Sequence, residues 1–122
     1  MKGFKWILAV GGIALALPAL AAEEGDAIEV VDAAYVCMVN DAAYEKLQVR
    51  VDVEGKTYYG CCEMCKERLA KDASLRTAVD PVSGKDVDKA KAVIGADAYR
   101  RVFYFENEEN FEKFNTAAKN EK

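Results

Sequence analysis

"EKLQVRVDVEGKTYYGCCEMCKERLAKD", residues 45–72, is where the fold of this chain is most legible. Leu47, Val49, Val51 and Val53 alternate with Gln48, Arg50 and Asp52, the period of a strand buried on one face. Glu54-Gly55 has turn chemistry, so Lys56 to Tyr59 returns as the second strand of a β-hairpin. Gly60 then releases the chain into a segment of helical composition. There Met64, Cys65 and Leu69 fall along one face, with Cys61 and Cys62 at its start. Asp72 to Ser74 closes this helix and begins a short one reaching Val79.

Downstream, "DPVSGK" at 80–85 starts the pattern again. A short helix is expected after it, then a strand over Tyr99–Glu106. Asn107 is placed to cap a last helix, in which Phe111, Phe114 and Ala118 form a core-facing stripe. The two halves read as repeats. Tyr58-Tyr59 matches Phe103-Tyr104, Cys61 falls on Glu106, Cys65 on Asn110 and Leu69 on Phe114, and Val36-Cys37 is matched to Val82-Ser83. The expectation is an α+β protein made of two tandem hairpin-plus-helix units packed as one compact domain. Residues 34–79 form the cysteine-bearing unit and 80–122 the unit without cysteine. Units this small gain from burying each other.

The chemistry lies in the thiols. The chain has four cysteines and no histidine. Cys37 precedes the hairpin, and Cys61, Cys62 and Cys65 cluster where the second strand meets the helix. Cys61 and Cys65 lie one turn apart, Cys62 and Cys65 are also neighbours, and a helix N-terminus favours thiolates. If the hairpin folds back over the helix, Cys37 reaches the same point, giving a zinc-finger-like convergence of turn, hairpin and helix. Cys37, Cys61, Cys62 and Cys65 are thus all candidate metal ligands. Beyond the first residues, all sulfur lies in Cys37-Met38 and Cys61 to Cys65. Soft donors without imidazole favour Cu(I) or another soft ion, and a Cys₄ zinc site stays open. Met38 and Met64 read equally as core filling or as ligands.

This stretch resembles the TRASH and YHS families of small treble-clef-like metal-binding domains. Cys37, Cys61 and Cys65 match the TRASH pattern of one cysteine well upstream of a Cys-x-x-x-Cys pair, a resemblance that implies these three as the metal ligands, with Cys62 as a fourth or auxiliary thiol. "GKTYYGCCEMCKERLAKD" is similar to the YHS segment in which a Tyr-rich strand enters a cysteine-bearing helix. "DPVSGK" resembles the YHS opening Asp-Pro-Val-Cys-Gly-Met, with Ser83 and Lys85 in place of its cysteine and methionine. The resemblance spans residues 35–118 and implies sensing, trafficking or resistance to a heavy metal, without naming the metal.

The start of the chain has the pattern of a secretory signal over residues 1–21. Lys2 and Lys5 precede an apolar run from Trp6 to Leu17, then Pro18 and a small-x-small Ala19-Leu20-Ala21. Residues 22–33 read as an acidic lead-in. Cleavage changes the net charge from −4 to −6, so neither nucleic-acid binding nor stable membrane insertion is expected. Periplasmic or otherwise exported location makes disulfides an alternative reading of four cysteines. Cys62-Glu63-Met64-Cys65 also admits a thiol-disulfide redox protein. Without histidine, Ser-His-Asp and Cys-His catalysis are excluded, and no enzyme is expected. The expected function is exported soft-metal binding for storage, delivery or resistance, with another periplasmic metal-handling protein as partner.

Overall fold

A computed structural model describes residues 27–120, with the side chains of residues 119 and 120 left aside. The expected signal, 1–21, and the first part of the acidic lead-in lie outside the described residues. Strand β1 (Glu29–Val30) leads through a 3₁₀ turn to β2 (Val36–Cys37) and β3 (Ala42–Ala43). The hairpin β4 (Val49–Val53) and β5 (Lys56–Gly60) follows, then helix α1 (Glu63–Lys71). After a second 3₁₀ turn the order recurs: β6 (Thr77–Val79) with β7 (Asp86–Asp88), β8 (Val93–Ala96) with β9 (Val102–Phe105), and helix α2 (Glu108–Asn120). The chain is α+β, each half running from a two-stranded turn through a hairpin to a helix. β6 stands before residue 80 and pairs with β7 after it.

Local chemistry explains most of these elements. Glu54 and Gly55 both take positive φ, 53° and 81°, as a two-residue hairpin loop requires. The loop sets the β4–β5 register, which pairs Val51 with Tyr58 and buries both. The strand begins at Val49, however, and Leu47 lies outside it, 67% exposed. The Asp72 side chain accepts the Ser74 amide at 3.0 Å and starts the 3₁₀ turn Ala73–Arg76. Asn107 accepts the Asn110 amide at 2.8 Å and caps α2 as expected.

The helix expected between "DPVSGK" and the last strand is absent. Lys89 to Ala92 has helical composition, but the Asp88 carboxylate accepts the Ala90 amide at 2.9 Å and closes a turn instead. β-branched Val93 and Ile94 then pair with Phe105 and Tyr104. β1 joins the other side of β8, giving a three-stranded sheet in the order β1-β8-β9. Gly95 makes this packing close, because a Cβ there would stand 2.8 Å from both Ile28 and Phe111.

Both halves feed one core. Val36, Met38, Ala43, Val51, Tyr58 and Leu69 pack with Val87, Ile94, Val102 and Tyr104. A smaller cluster of Ile28, Phe105 and Phe111, flanked by Phe103 and Phe114, fixes α2 on its sheet. The Phe105 and Phe111 rings meet edge to face at 5.7 Å.

Two polar ties also cross between the halves. Lys89, only 4% exposed, donates to the Met38 carbonyl at 2.7 Å and to Asp41 Oδ1 at 2.9 Å. The Tyr104 hydroxyl donates to the same Asp41 oxygen at 2.8 Å. Reciprocally, Asp88 accepts from Lys56 at 2.6 Å and from the Tyr58 hydroxyl at 2.7 Å. Burial and the Asp88 carboxylate push the Tyr58 phenol up to about 12, keeping it a donor.

Two substitutions separate apolar packing from polar tying. Phe105→Ala should cost about 3–5 kcal/mol in urea unfolding by opening a cavity under α2. Lys89→Ala should cost about 1–3 kcal/mol by leaving the Met38 carbonyl unpartnered. Unchanged unfolding midpoints would show that Phe105 does not hold α2 on its sheet and that Lys89 does not tie the halves.

Candidate metal centre

Three elements converge at the end of the first hairpin. Cys37 closes β2 and is fully buried. The turn after it is held by the Asp41 amide donating to the Cys37 carbonyl at 2.8 Å. Asp41 has φ 55°, within the left-handed region. The Met38 amide donates to the Tyr59 carbonyl at 2.9 Å, docking this turn on β5. Cys61 leaves the end of β5, Cys62 is the N-cap of α1, and Cys65 lies in the first turn of the helix.

The sulfurs of Cys37, Cys61 and Cys65 all lie within 4.8 Å of one another, and those of Cys61 and Cys65 are 3.7 Å apart. Two thiolates bound at about 2.3 Å to a tetrahedral zinc ion stand about 3.8 Å apart, and at the same bond length a trigonal ion sets them about 4.0 Å apart. The trio therefore fits a soft ion with small adjustment. Cys37 and Cys65 are buried and Cys61 is exposed, so the site opens to solvent on one side.

Cys62 is not part of the trio: it is exposed at the N-cap. Met38 lies wholly in the shared core, which settles its packing role. Met64 is 69% exposed and fills no core.

Two further residues shape the site and stand out only in three dimensions. The Asn40 amide nitrogen donates to Cys37 Sγ at 3.5 Å, and its side-chain Nδ2 to Cys61 Sγ at 3.7 Å. Asn40 thus ties the buried sulfur to the exposed one. Gly60 lets strand and helix meet, because a Cβ there would stand 2.8 Å from Cys65 Cβ. The sequence signals are slight: an Asn three residues after a turn cysteine, and a Gly between paired aromatics and the thiols.

The electrostatics disfavour three thiolates without a counter-ion. Burial, then hydrogen bonds with Cys61 and Cys62, push the Cys65 thiol up to about 12. At Cys61 the hydrogen bond from Cys65 favours the thiolate, yet burial and the Cys37 sulfur outweigh it and raise the pKa. Cys62 makes no side-chain cap hydrogen bond of standard geometry. The Cys65 backbone N–H and thiol nevertheless lie near enough to hold its pKa below the ordinary thiol value. A bound cation would relieve the repulsion in the trio, with protons released as it binds.

The second half builds the same corner from other residues. Glu106 leaves β9, Asn107 caps α2 and Asn110 lies in its first turn, as Cys61, Cys62 and Cys65 do around α1. The counterpart of Cys37 is Asp80, not Ser83 as sequence matching suggests. The Gly84 amide donates to the Asp80 carbonyl at 2.8 Å, and Gly84 has φ 76°, repeating the geometry of Asp41 and Cys37. Ser83 stands where Asn40 does, each amide donating to the side chain three residues earlier.

Asn40→Ala should weaken metal binding by about 10–100-fold while leaving the fold intact, as loss of an outer-shell partner commonly does. Competition against a chromophoric chelator under reducing conditions measures this. Affinity equal to wild type would remove Asn40 from the site.

Compared with known proteins, the chain matches no protein-family model, no curated protein and no solved structure.

Proposed function

We propose that this chain is an exported binding protein for a soft metal ion, with Cu(I) preferred and zinc as the alternative ion. The observation that carries the reading is the convergence of the Cys37, Cys61 and Cys65 sulfurs within 4.8 Å. A trio of thiolates with no imidazole in the chain suits low-coordinate Cu(I) better than Cu(II) or Ni(II). Cys62, adjacent and exposed, is the auxiliary thiol. If it swings in, the site becomes Cys₄ and zinc is the better occupant.

The first half is on this reading a treble-clef-like unit of the TRASH and YHS kind, and the second its cysteine-free relative. Its role is storage, delivery or resistance rather than catalysis. The solvent-facing side at Cys61 supports exchange with another periplasmic metal-handling protein. The signal pattern of residues 1–21 supports export. Among the described residues no helix is long and apolar enough to cross a membrane.

The rival reading is a non-metal module stapled by disulfides, or a thiol-disulfide redox protein. The 3.7 Å separation of Cys61 and Cys65 gives it a physical basis, since a small approach would let them join.

Titration of the reduced protein with Cu(I) and Zn(II) against competing chelators decides among these. Cys37→Ser, Cys61→Ser and Cys65→Ser should each weaken Cu(I) binding by at least about 100-fold, and Cys62→Ser by far less. If Cys62→Ser is as damaging as the others, the site is Cys₄ and zinc takes precedence. If all four variants bind like wild type, the cysteines are not ligands and the disulfide reading replaces this one. For export, sequencing of the secreted product should begin near Ala22; a membrane-held product beginning at Met1 would refute it.

A further inference from the structure

Asp80 is a fully buried carboxylate with no cation against it among the described ion pairs. Four nitrogen donors surround it instead. Its Oδ1 accepts the Val82 amide at 2.7 Å and the Ser83 amide at 3.1 Å, both from its own turn. Its Oδ2 accepts the Glu106 amide at 2.8 Å, from the end of β9, and Asn110 Nδ2 at 2.9 Å, from the first turn of α2. Asn110 is held in place by a second bond from the same Nδ2 to Glu106 Oε2 at 3.2 Å.

These are the three elements that converge on the thiolates in the first half. There, turn, strand end and helix each bring a sulfur, and a cation would join them. Here the turn brings the anion, and the strand end and helix bring donors. A carboxylate has lone pairs for all four bonds, and the N-terminus of α2 favours its charge. Burial alone would raise its pKa, but the four donors prevail and keep it below the ordinary carboxyl value.

We propose that the Asp80 carboxylate is the second half's internal substitute for a bound ion, and that it keeps the whole fold assembled when the thiolate site is empty. Small domains that depend on a structural ion unfold without it. Here the second half needs none, and it shares its core with the first. Lys89 and Tyr104 reach from it to Asp41 and hold the turn that bears Cys37. The thiolate site is therefore preformed and exchangeable: an ion enters and leaves without unfolding the chain. This rests on the metal-binding reading above, and it selects delivery or storage over a structural ion.

The test compares metal-stripped, reduced full-length protein with three variants by thermal unfolding and amide NMR. Stripped wild type should unfold cooperatively and show dispersed amide signals. Cys37→Ser should stay folded while losing Cu(I) affinity. Asn110→Ala should lower the unfolding midpoint by at least about 5 °C, and Asp80→Ala by at least about 10 °C or to no transition at all, because buried donors lose their acceptor. Added Cu(I) or zinc should not restore the Asp80→Ala fold. A stripped wild type that is unfolded, or Asp80 and Asn110 variants that melt with wild type, would overturn the proposal. The stability measurements use no metal. If wild type binds no ion yet Asp80→Ala collapses, metal binding is refuted and the Asp80 substitute stands.

Discussion

The ammonium of Lys89 is the contact on which the site most depends. It is almost wholly removed from water, and its partners are a carbonyl and a carboxylate of the turn that begins at Cys37. Burying an ammonium is costly unless its donors are used, so the contact holds only in one geometry. That geometry places the Met38–Asp41 turn against β5, and with it Cys37 beside Cys61 and Cys65. A residue of the cysteine-free half thus positions a cysteine of the trio in the other half. The reverse tie, Lys56 and Tyr58 on Asp88, makes the dependence mutual.

Around this frame the thiolate corner is short of one thing, positive charge. Burial raises Cys65, and the neighbouring sulfurs add to the effect. Asn40 supplies partial positive charge to two sulfurs, and the helix N-terminus supplies more, but neither amounts to a cation. The arrangement is one in which an ion is worth most: donors already close, Cys61 and Cys65 kept protonated for want of a counter-charge, one side open to water.

The two halves answer the same geometric problem in two ways. A turn, a strand end and a helix start must be pinned at one point, and backbone bonds alone do not reach across all three. In the first half three sulfurs converge, and in the second Asp80 bonds to Glu106 and Asn110. The first corner is open to solvent at Cys61, and the second has its carboxylate fully buried. The shared core joins the two corners in one packed unit.

Much of this was legible in residue order. The β4–β5 hairpin follows from alternating valines around Glu54-Gly55, and the start of α2 follows from Asn107. Local helix spacing placed Cys61 and Cys62 equally well beside Cys65, and Cys37, Cys61 and Cys65 could be proposed as a trio because their spacing resembles the TRASH cysteine pattern. The fold of residues 89–94 could not be read the same way, because helix propensity there yields to pairing with β9 and to burial of Lys89. The true partner of Cys37 was hidden too. Asp80 and Cys37 share no chemistry, and only the i+4 bonds and positive φ of Gly84 and Asp41 show that they hold the same place. Asn40 and Gly60 belong to the site through contacts with residues that chain order sets apart. Sequence determined which groups could bind an ion, since that is a matter of donor type and local spacing. Tertiary structure decided which sulfurs meet and which one stays outside, since that depends on how one half is packed against the other.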